Sequence, residues 1–247
     1  PYLYFLESYL ERDGKIIDGM RTRFGFREFT IDGPSFRLNG KKVLLKGGWG
    51  HSGEWYYGKP NNIRDTIRVL KAHNLNTLRY HGQQLPDDFL DAADELGIMV
   101  VAESGLMHGP VNDSIFPHTR DWILRDRNHP SIVIWSGSNE YGHWIVPRDP
   151  ERTRLLLEQE ALIHQLDPTR PTMQHGYGSL DDKEMISNIH YPERGLGSLP
   201  NLFYWPVDHA IPINDNYAGF TWKQDRPVVI GEHLLRSPGY VEMFRGD

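Results

Sequence analysis

The chain has 247 residues, a net charge of −6, no cysteine, and an aromatic excess of seven Trp and twelve Tyr. That length holds one α/β barrel or two smaller domains, and with no basic run beyond pairs such as Lys41-Lys42 the acidic balance argues against nucleic-acid binding. The missing cysteines exclude a disulfide framework and a thiolate metal site, and no apolar stretch reaches the roughly 18 residues of a membrane span. No signal peptide is visible in the sequence, and a chain that begins at Pro1 is compatible with a mature or excised piece. The compartment is left open, with a periplasmic or secreted setting favoured over a cytoplasmic one.

Residues 1–31 alternate, and Leu3, Phe5 and, after an Asp13-Gly14 turn, Ile16 predict two strands at the end of a β-sandwich. Phe24-Gly25-Phe26-Arg27 leads on to Phe36 and Leu38, where Asn39-Gly40 signals a tight turn. From there strands and helices alternate. A first strand over Val43–Lys46 ends in Gly47-Gly48-Trp49-Gly50-His51, and Ile63, Ile67 and Leu70 share one helical face capped by Asn61 or Asn62. A second strand over Leu75–Tyr80 ends in Arg79-Tyr80-His81. Phe89, Ala92, Ala93 and Leu96 mark the next helix, stopped by Gly97, and a third strand over Ile98–Ala102 ends in Glu103.

Trp122 and Ile123 belong to a helix before Asp126-Arg-Asn-His-Pro130, and the run Ile132–Trp135 is a fourth, buried strand. It gives way to Ser136-Gly137-Ser138 and the polar tip Asn139-Glu140. Asp149-Pro150-Glu151 opens a helix carrying Leu155, Leu156, Ile163 and Leu166. Strands five to seven follow at Pro171–His175, Met185–His190 and Pro227–Glu232. Seven such rungs predict an α/β fold, a TIM (β/α)8 barrel over residues 33–247 lacking its eighth rung, preceded by β-sandwich strands over residues 1–32.

Barrels of this kind keep their chemistry at the carboxyl ends of the strands. Those tips supply Arg79, His81, Glu103, Asn139, Glu140, His175, His190, Tyr191 and Glu232. Strands four and seven face one another across a barrel mouth, so Glu140 and Glu232 form a candidate pair of catalytic carboxylates on a glycosidic bond. His51, His81, His175 and His190 either bind sugar hydroxyls or serve as satisfied structural histidines. Trp49, Trp55, Tyr56 and Tyr57 either stack on sugar faces or pack the loop after strand one.

The segment Asp126-Arg-Asn-His-Pro-Ser-Ile-Val-Ile-Trp-Ser136 with Asn139-Glu140 resembles the strand-four signature of family 2 glycoside hydrolases, the β-galactosidase, β-glucuronidase and β-mannosidase group. Phe24-Gly-Phe-Arg-Glu28 with Leu38-Asn-Gly-Lys41 is similar to that family's junction between an immunoglobulin-like sandwich and the barrel, and Ala92-Ala-Asp-Glu-Leu-Gly-Ile98 and Asp167-Pro-Thr-Arg-Pro171 also fit. The resemblance implies a retaining exo-β-glycosidase, with β-galactosides as first substrate and β-glucuronides or β-mannosides after them. It makes Glu140 the acid/base, Glu232 the nucleophile and Asn139 a donor to the sugar 2-hydroxyl. Arg79 and Tyr191 would support the nucleophile. Apart from the resemblance, His51, Trp49, His81 and His190 stand as candidates for lining the sugar site.

No cofactor is expected, and a homo-oligomer is compatible with the reading. Some relatives carry a metal beside strand three, where a carboxylate precedes a His-Gly. Here Leu106 stands before His108-Gly109, and a leucine cannot ligate a hard cation, so no metal is expected. Two other classes are weighed. Gly48-Trp-Gly-His-Ser-Gly53 formally fits a dinucleotide-binding loop, but no helix opens after it and strand two ends without an acid for a ribose. A non-catalytic carbohydrate-binding homologue, or an inactive fragment, fits a barrel whose sheet edges stay open.

Overall fold

Period-two patterning makes the first residues a hairpin. In the computed structural model, which describes residues 1–50, 60–106, 111–140, 150–175, 184–190 and 225–232, β1 (Tyr4–Arg12) pairs antiparallel with β2 (Lys15–Phe24). Asp13 and Gly14 turn the chain at φ of 52° and 74°, the left-handed pair whose twist matches the flanking strands. Register brings Tyr4, Leu6, Leu10 and Met20 to one face, and all four are exposed.

A three-stranded antiparallel meander follows: β3 (Phe29–Asp32), β4 (Ser35–Leu38) and β5 (Lys41–Val43). The expected tight turn stands at Asn39-Gly40, with φ of 50° and 75°. Phe29 stacks on Phe36 with ring centroids 5.3 Å apart. Both join a buried cluster with Met99, Val101, Val133, Ile134 and Met173, so the meander floors the barrel. A division between residues 32 and 33 falls in the turn of the β3–β4 hairpin, and the two phenylalanines on either side of it share one core.

Five parallel strands then pair in sequence order: β6 (Gly47–Gly50), β7 (Thr77–Tyr80), β8 (Met99–Glu103), β9 (Ile132–Asn139) and β10 (Thr172–His175). A parallel pair, β11 (Ser187–His190) and β12 (Val228–Glu232), continues beside β10. The described connections carry α1 (Pro60–Ala72), α2 (Asp87–Leu96), α3 (Ile115–Asp126) and α4 (Pro150–Leu166). Among the described residues this gives seven parallel barrel strands, with helices laid on one side of the sheet. No described helix is long and apolar enough to cross a membrane.

Alternation within each strand separates two cores. Leu78, Tyr80, Val100, Ala102 and Trp135 pack outward with Ile63, Ile67, Leu90, Ile123 and Ile163 of the helices. Met99, Val101 and Met173 pack inward with the meander. The same parity sends Arg79, Glu103 and His175, at the strand tips, to the inner side.

Beyond shifts of one or two residues at strand ends, three differences from the sequence expectation have a physical cause. The first barrel strand is Gly47–Gly50, because Lys41–Val43 pairs with the meander instead. A Cβ at Gly47 would collide with the Thr77 carbonyl oxygen, so the glycine there permits close strand approach rather than marking a loop. Strand four runs on through Ser136-Gly137-Ser138 to Asn139. Its small residues are required by crowding, since a Cβ at Gly137 would strike the amides of Gln174 and Gln159. Helix α1 begins at Pro60, which places Asn61 and Asn62 inside its first turn rather than at its cap. Gly97 ends α2 as expected, in a left-handed conformation with φ of 74° and its N–H bonded to the Ala93 carbonyl.

The amino-terminal ends of the strands are tied by buried ionic knots. Asp94, on α2, accepts from Ser131 N at 2.9 Å and lies 2.7 Å from His129 Nδ1. Asp167 accepts from Trp135 Nε1 at 2.8 Å, from Thr169 N at 3.0 Å and from the Arg170 guanidinium. Arg170 in turn donates to the carbonyls of Ile132 and His129, each at 2.7 Å. Burial pushes the Asp167 carboxyl upward, but the Arg170 charge and the donors around it hold it below its ordinary value. Replacing Asp167 by Ala leaves Arg170 charged in a buried site. Urea denaturation of Asp167→Ala is expected to show a loss of about 3–5 kcal/mol, and a loss under 1 kcal/mol would remove the knot from the account.

A second carboxyl is buried between α4 and β10. Glu160 Oε2 accepts from Thr172 Oγ1 at 3.3 Å, and Oε1 has no partner among the described residues. Burial, and then the nearby Glu184 charge, push Glu160 up to about 8. The folded chain therefore holds this proton up to about pH 8, whereas the unfolded chain releases it near the ordinary glutamate value of 4.5. Stability is expected to fall as pH rises through that window and to level off above it. Glu160→Gln should flatten the decline between pH 5 and 8.5 in thermal unfolding; parallel profiles for the two proteins would refute the assignment.

Candidate active site

Strand register brings the polar tips to one level. Arg79 pairs with Trp49 on one side and Val101 on the other, Glu103 with Ser136, His175 with Asn139, and His190 with Glu232. Trp49, His190 and Glu232 are described as backbone at the ends of β6, β11 and β12. His51 and Tyr191 lie outside the described residues, as do Trp55, Tyr56, Tyr57 and His108.

Arg79 is the centre of the described cluster. It is 6% exposed, and its guanidinium donates through Nε to Glu103 Oε1 and through Nη2 to Asn139 Oδ1 at 2.5 Å. The same Nη2 lies 3.0 Å from His81 Nδ1, and Nη1 donates to the Gly231 carbonyl at 3.4 Å. One side chain on β7 thus reaches the residue before Glu140 on β9 and the residue before Glu232 on β12. Glu103 also accepts from Gly82 N at 2.5 Å, and its Oε1 lies 3.6 Å from His175 Nε2. Arg79, His81, Glu103, Asn139 and His175 are brought together; of these, the sequence reads Glu103 only as a strand tip, and His175 as either a binder of sugar hydroxyls or a structural histidine.

Asn139 is fully buried, and its Nδ2 has no partner among the described residues. An unmatched buried donor is costly, so an amide held by its oxygen with its nitrogen unmatched suits a ligand oxygen. Glu140 stands just beyond, at φ of 52°. A non-glycine residue in this left-handed region carries about 1–2 kcal/mol of strain. Two backbone bonds enforce it: Glu140 N donates to the His175 carbonyl at 2.8 Å and Asn139 N to the Leu106 carbonyl at 2.9 Å. The turn carries Glu140 off the strand line while keeping it 6% exposed.

A ladder of amides supports this tip from behind. Ser138 Oγ donates to Gln174 Oε1 at 2.5 Å, Gln174 Nε2 to Gln159 Oε1 at 3.2 Å, and Gln159 Nε2 to the Gly137 carbonyl at 3.0 Å. Gln159 and Gln174 are not among the residues that the sequence singles out. The signal available was a glutamine among the core-facing leucines of α4. Below the ring of tips lies a cavity of about 650 Å³, walled by Val43, Leu45, Val101 and Val229 and reaching up to Arg79 and His175.

The metal of some relatives does not fit the residues here. Leu106 packs against Leu156 in an apolar cluster, at the place where a carboxylate would be needed. Asp91, Asp94 and His129 are close enough together to hold an ion, but Arg23 of the hairpin already pairs with both aspartates and with Glu95.

A family model for the TIM barrel domain of glycosyl hydrolases family 2 matches residues 29–239. A protein of Formosa agariphila bearing the name of a β-glucuronidase is 33% identical over 192 residues, covering 72% of this chain and 23% of its own length. The β-galactosidase of Lactococcus lactis is 30% identical over 160 residues, covering 58% and 16%. Among solved structures, the β-glucuronidase of Parabacteroides merdae superposes with a TM-score of 0.68 at 26% identity, over 77% of this chain and 25% of that one. The chain thus spans a quarter or less of the length of these relatives. With the model matched over most of its length, the chain belongs to family 2 of the glycosyl hydrolases and carries that family's TIM barrel domain.

Proposed function

We propose that the protein is a retaining exo-β-glycosidase, acting on terminal β-linked sugars with Glu232 as nucleophile and Glu140 as acid/base. The single observation that carries this reading is the Arg79 guanidinium, bonded at once to Asn139 and to the Gly231 carbonyl. It ties the Asn139 side chain to the Gly231 backbone, joining the residues immediately before the two glutamates, which supports one site between them. In the first step the Glu232 carboxylate attacks the anomeric carbon while Glu140 gives its proton to the departing glycosidic oxygen. In the second, Glu140 takes a proton from water, and the resulting hydroxide releases the sugar from Glu232. The Asn139 amide supplies a donor at the sugar 2-hydroxyl, where hydrogen bonds strengthen in the transition state. His81 is assigned to the sugar subsite with His190, His51, Trp49 and Tyr191. β-Galactosides are the first substrate class, with β-glucuronides or β-mannosides after them; β-galactosidase and β-glucuronidase are activities named among the relatives.

The β1–β2 hairpin is read, on the same footing, as part of an immunoglobulin-like sandwich beside the barrel. Its exposed apolar face of Tyr4, Leu6, Leu10 and Met20 supports this, because a two-stranded hairpin is at best marginal alone.

Two measurements test the function in the protein at its full natural length. Glu140→Ala should lower kcat on nitrophenyl β-glycosides by about 10²–10⁴-fold. Azide should restore turnover and yield a glycosyl azide of retained configuration. Glu232→Ala should be equally impaired, with azide giving the inverted anomer, and full activity in that variant would sink the nucleophile assignment. Across a panel of nitrophenyl α- and β-glycosides, only β-anomers should turn over, with product of β-configuration. A carboxyl separation of about 6.5–9.5 Å, instead of the roughly 5–5.5 Å of retaining enzymes, would mean inversion.

A further inference from the structure

We infer that Glu103 is a positioning residue of this site, acting through Arg79 to fix which hydrogens Asn139 and His81 present. The inference deepens the glycosidase reading and rests on it for its kinetic consequence. Glu103 is 1% exposed, and both carboxylate oxygens already accept from the protein, Oε1 from Arg79 Nε and Oε2 from Gly82 N. A guanidinium is a rigid planar fork that only donates. Once Nε is held by Glu103, the plane and direction of both Nη groups follow. Nη2 then meets His81 Nδ1 at 3.0 Å and Asn139 Oδ1 at 2.5 Å.

Two chemical consequences are forced. Because arginine cannot accept, His81 Nδ1 must, so the ring is neutral with its proton on Nε2. Because the Asn139 oxygen faces Arg79, the amide turns its NH2 away from it, and that nitrogen is the one without a partner among the described residues. Glu103 thereby sets two donors, Asn139 Nδ2–H and His81 Nε2–H, suited to hydroxyl oxygens of a sugar, while lying outside the sugar site itself. A glutamine in its place cannot do this. Arg79 Nε–H and Gly82 N–H are both donors, and an amide offers one acceptor and one NH2, so either flip sets donor against donor.

The test begins with the unaltered protein. Nitrogen-15 histidine NMR, with His81 assigned by loss of its signal in His81→Gln, should show His81 as the neutral Nε2–H tautomer at neutral pH. The Nδ1–H tautomer or an imidazolium would overturn the inference. In Glu103→Gln that signature should be lost or split between tautomers, and an unchanged spectrum would also overturn it. Kinetically, Glu103→Gln should lower kcat about 10–100-fold with KM changed less than about threefold. Adding Asn139→Ala should then cost far less than it does in the unaltered protein, whereas strictly additive losses would refute action through Asn139. If Glu103→Gln fails to fold, Glu103→Asp is read the same way, since its carboxylate is drawn back by about one methylene and cannot span both donors; wild-type kcat in that variant overturns the proposal. A protein with the expected His81 spectrum but no glycosidase activity would fail the function reading and leave the positioning intact.

Discussion

A buried guanidinium has to be neutralised, and at the mouth of this barrel that requirement organises everything around it. Arg79 stands on β7 with Glu103 beside it on β8, and the remaining hydrogens of the fork lie along Asn139, His81 and Gly231. Four strands are thereby fixed relative to one another at their tips. A lysine would supply the charge without the geometry, because its ammonium is a point charge on a flexible stem. The arrangement depends equally on the strand alternation, which sends Thr77 and Arg79 inward and gives Leu78 and Tyr80 to the helices.

Much of this was legible in the sequence, for identifiable reasons. Helices α2 and α4 were readable because apolar spacing and end signals agree, as at Gly97 and Pro150. The strand tips were readable because each apolar run stops at a polar residue, and parity fixes the face. What was not legible is where backbone approach, rather than apolar content, decides. Gly47 opens the first barrel strand, although the apolar run that suggests a strand is Val43–Lys46 before it, because its missing Cβ makes room for the Thr77 carbonyl. Ser136-Gly137-Ser138 is strand for the same reason, its small side chains accommodating the amides of Gln159 and Gln174. The partnership of Arg79 with Glu103 spans 24 residues, and no local pattern announces it.

The strand-four signature divides into two halves with different physical duties. Asp126 to Ser131 works at the amino-terminal end, where His129 and Ser131 bind Asp94 of α2 and Arg125 binds Asp126. Trp135, midway along, reaches back to Asp167, and Arg170 caps the carbonyls of His129 and Ile132. Thus the Asp167-Pro-Thr-Arg-Pro171 motif and the first half of the signature form one connected knot. Only the last two residues, Asn139 and Glu140, belong to the chemistry proposed for the site. A signature of this kind therefore reports a held strand as much as a reactive tip.

The two ends of the barrel carry opposite energetic characters, and the one makes the other tenable. At the tips, Asn139 leaves a buried donor unmatched among the described residues and Glu140 holds a left-handed backbone, each a local cost of order 1–3 kcal/mol. At the base, Asp167 collects donors from Thr169, Trp135 and Arg170, and the inner core seats the meander against the strands. Residues in an unfavourable conformation persist only where their surroundings over-determine them. Here β9 provides that determination by being buried along its whole length, anchored behind by Trp135 and braced beside its tip by the Gln159–Gln174–Ser138 ladder. The strain at Glu140 thus follows directly on a fully bonded, buried strand. A carboxyl presented that way keeps a defined direction, as the general-acid role proposed for Glu140 would demand.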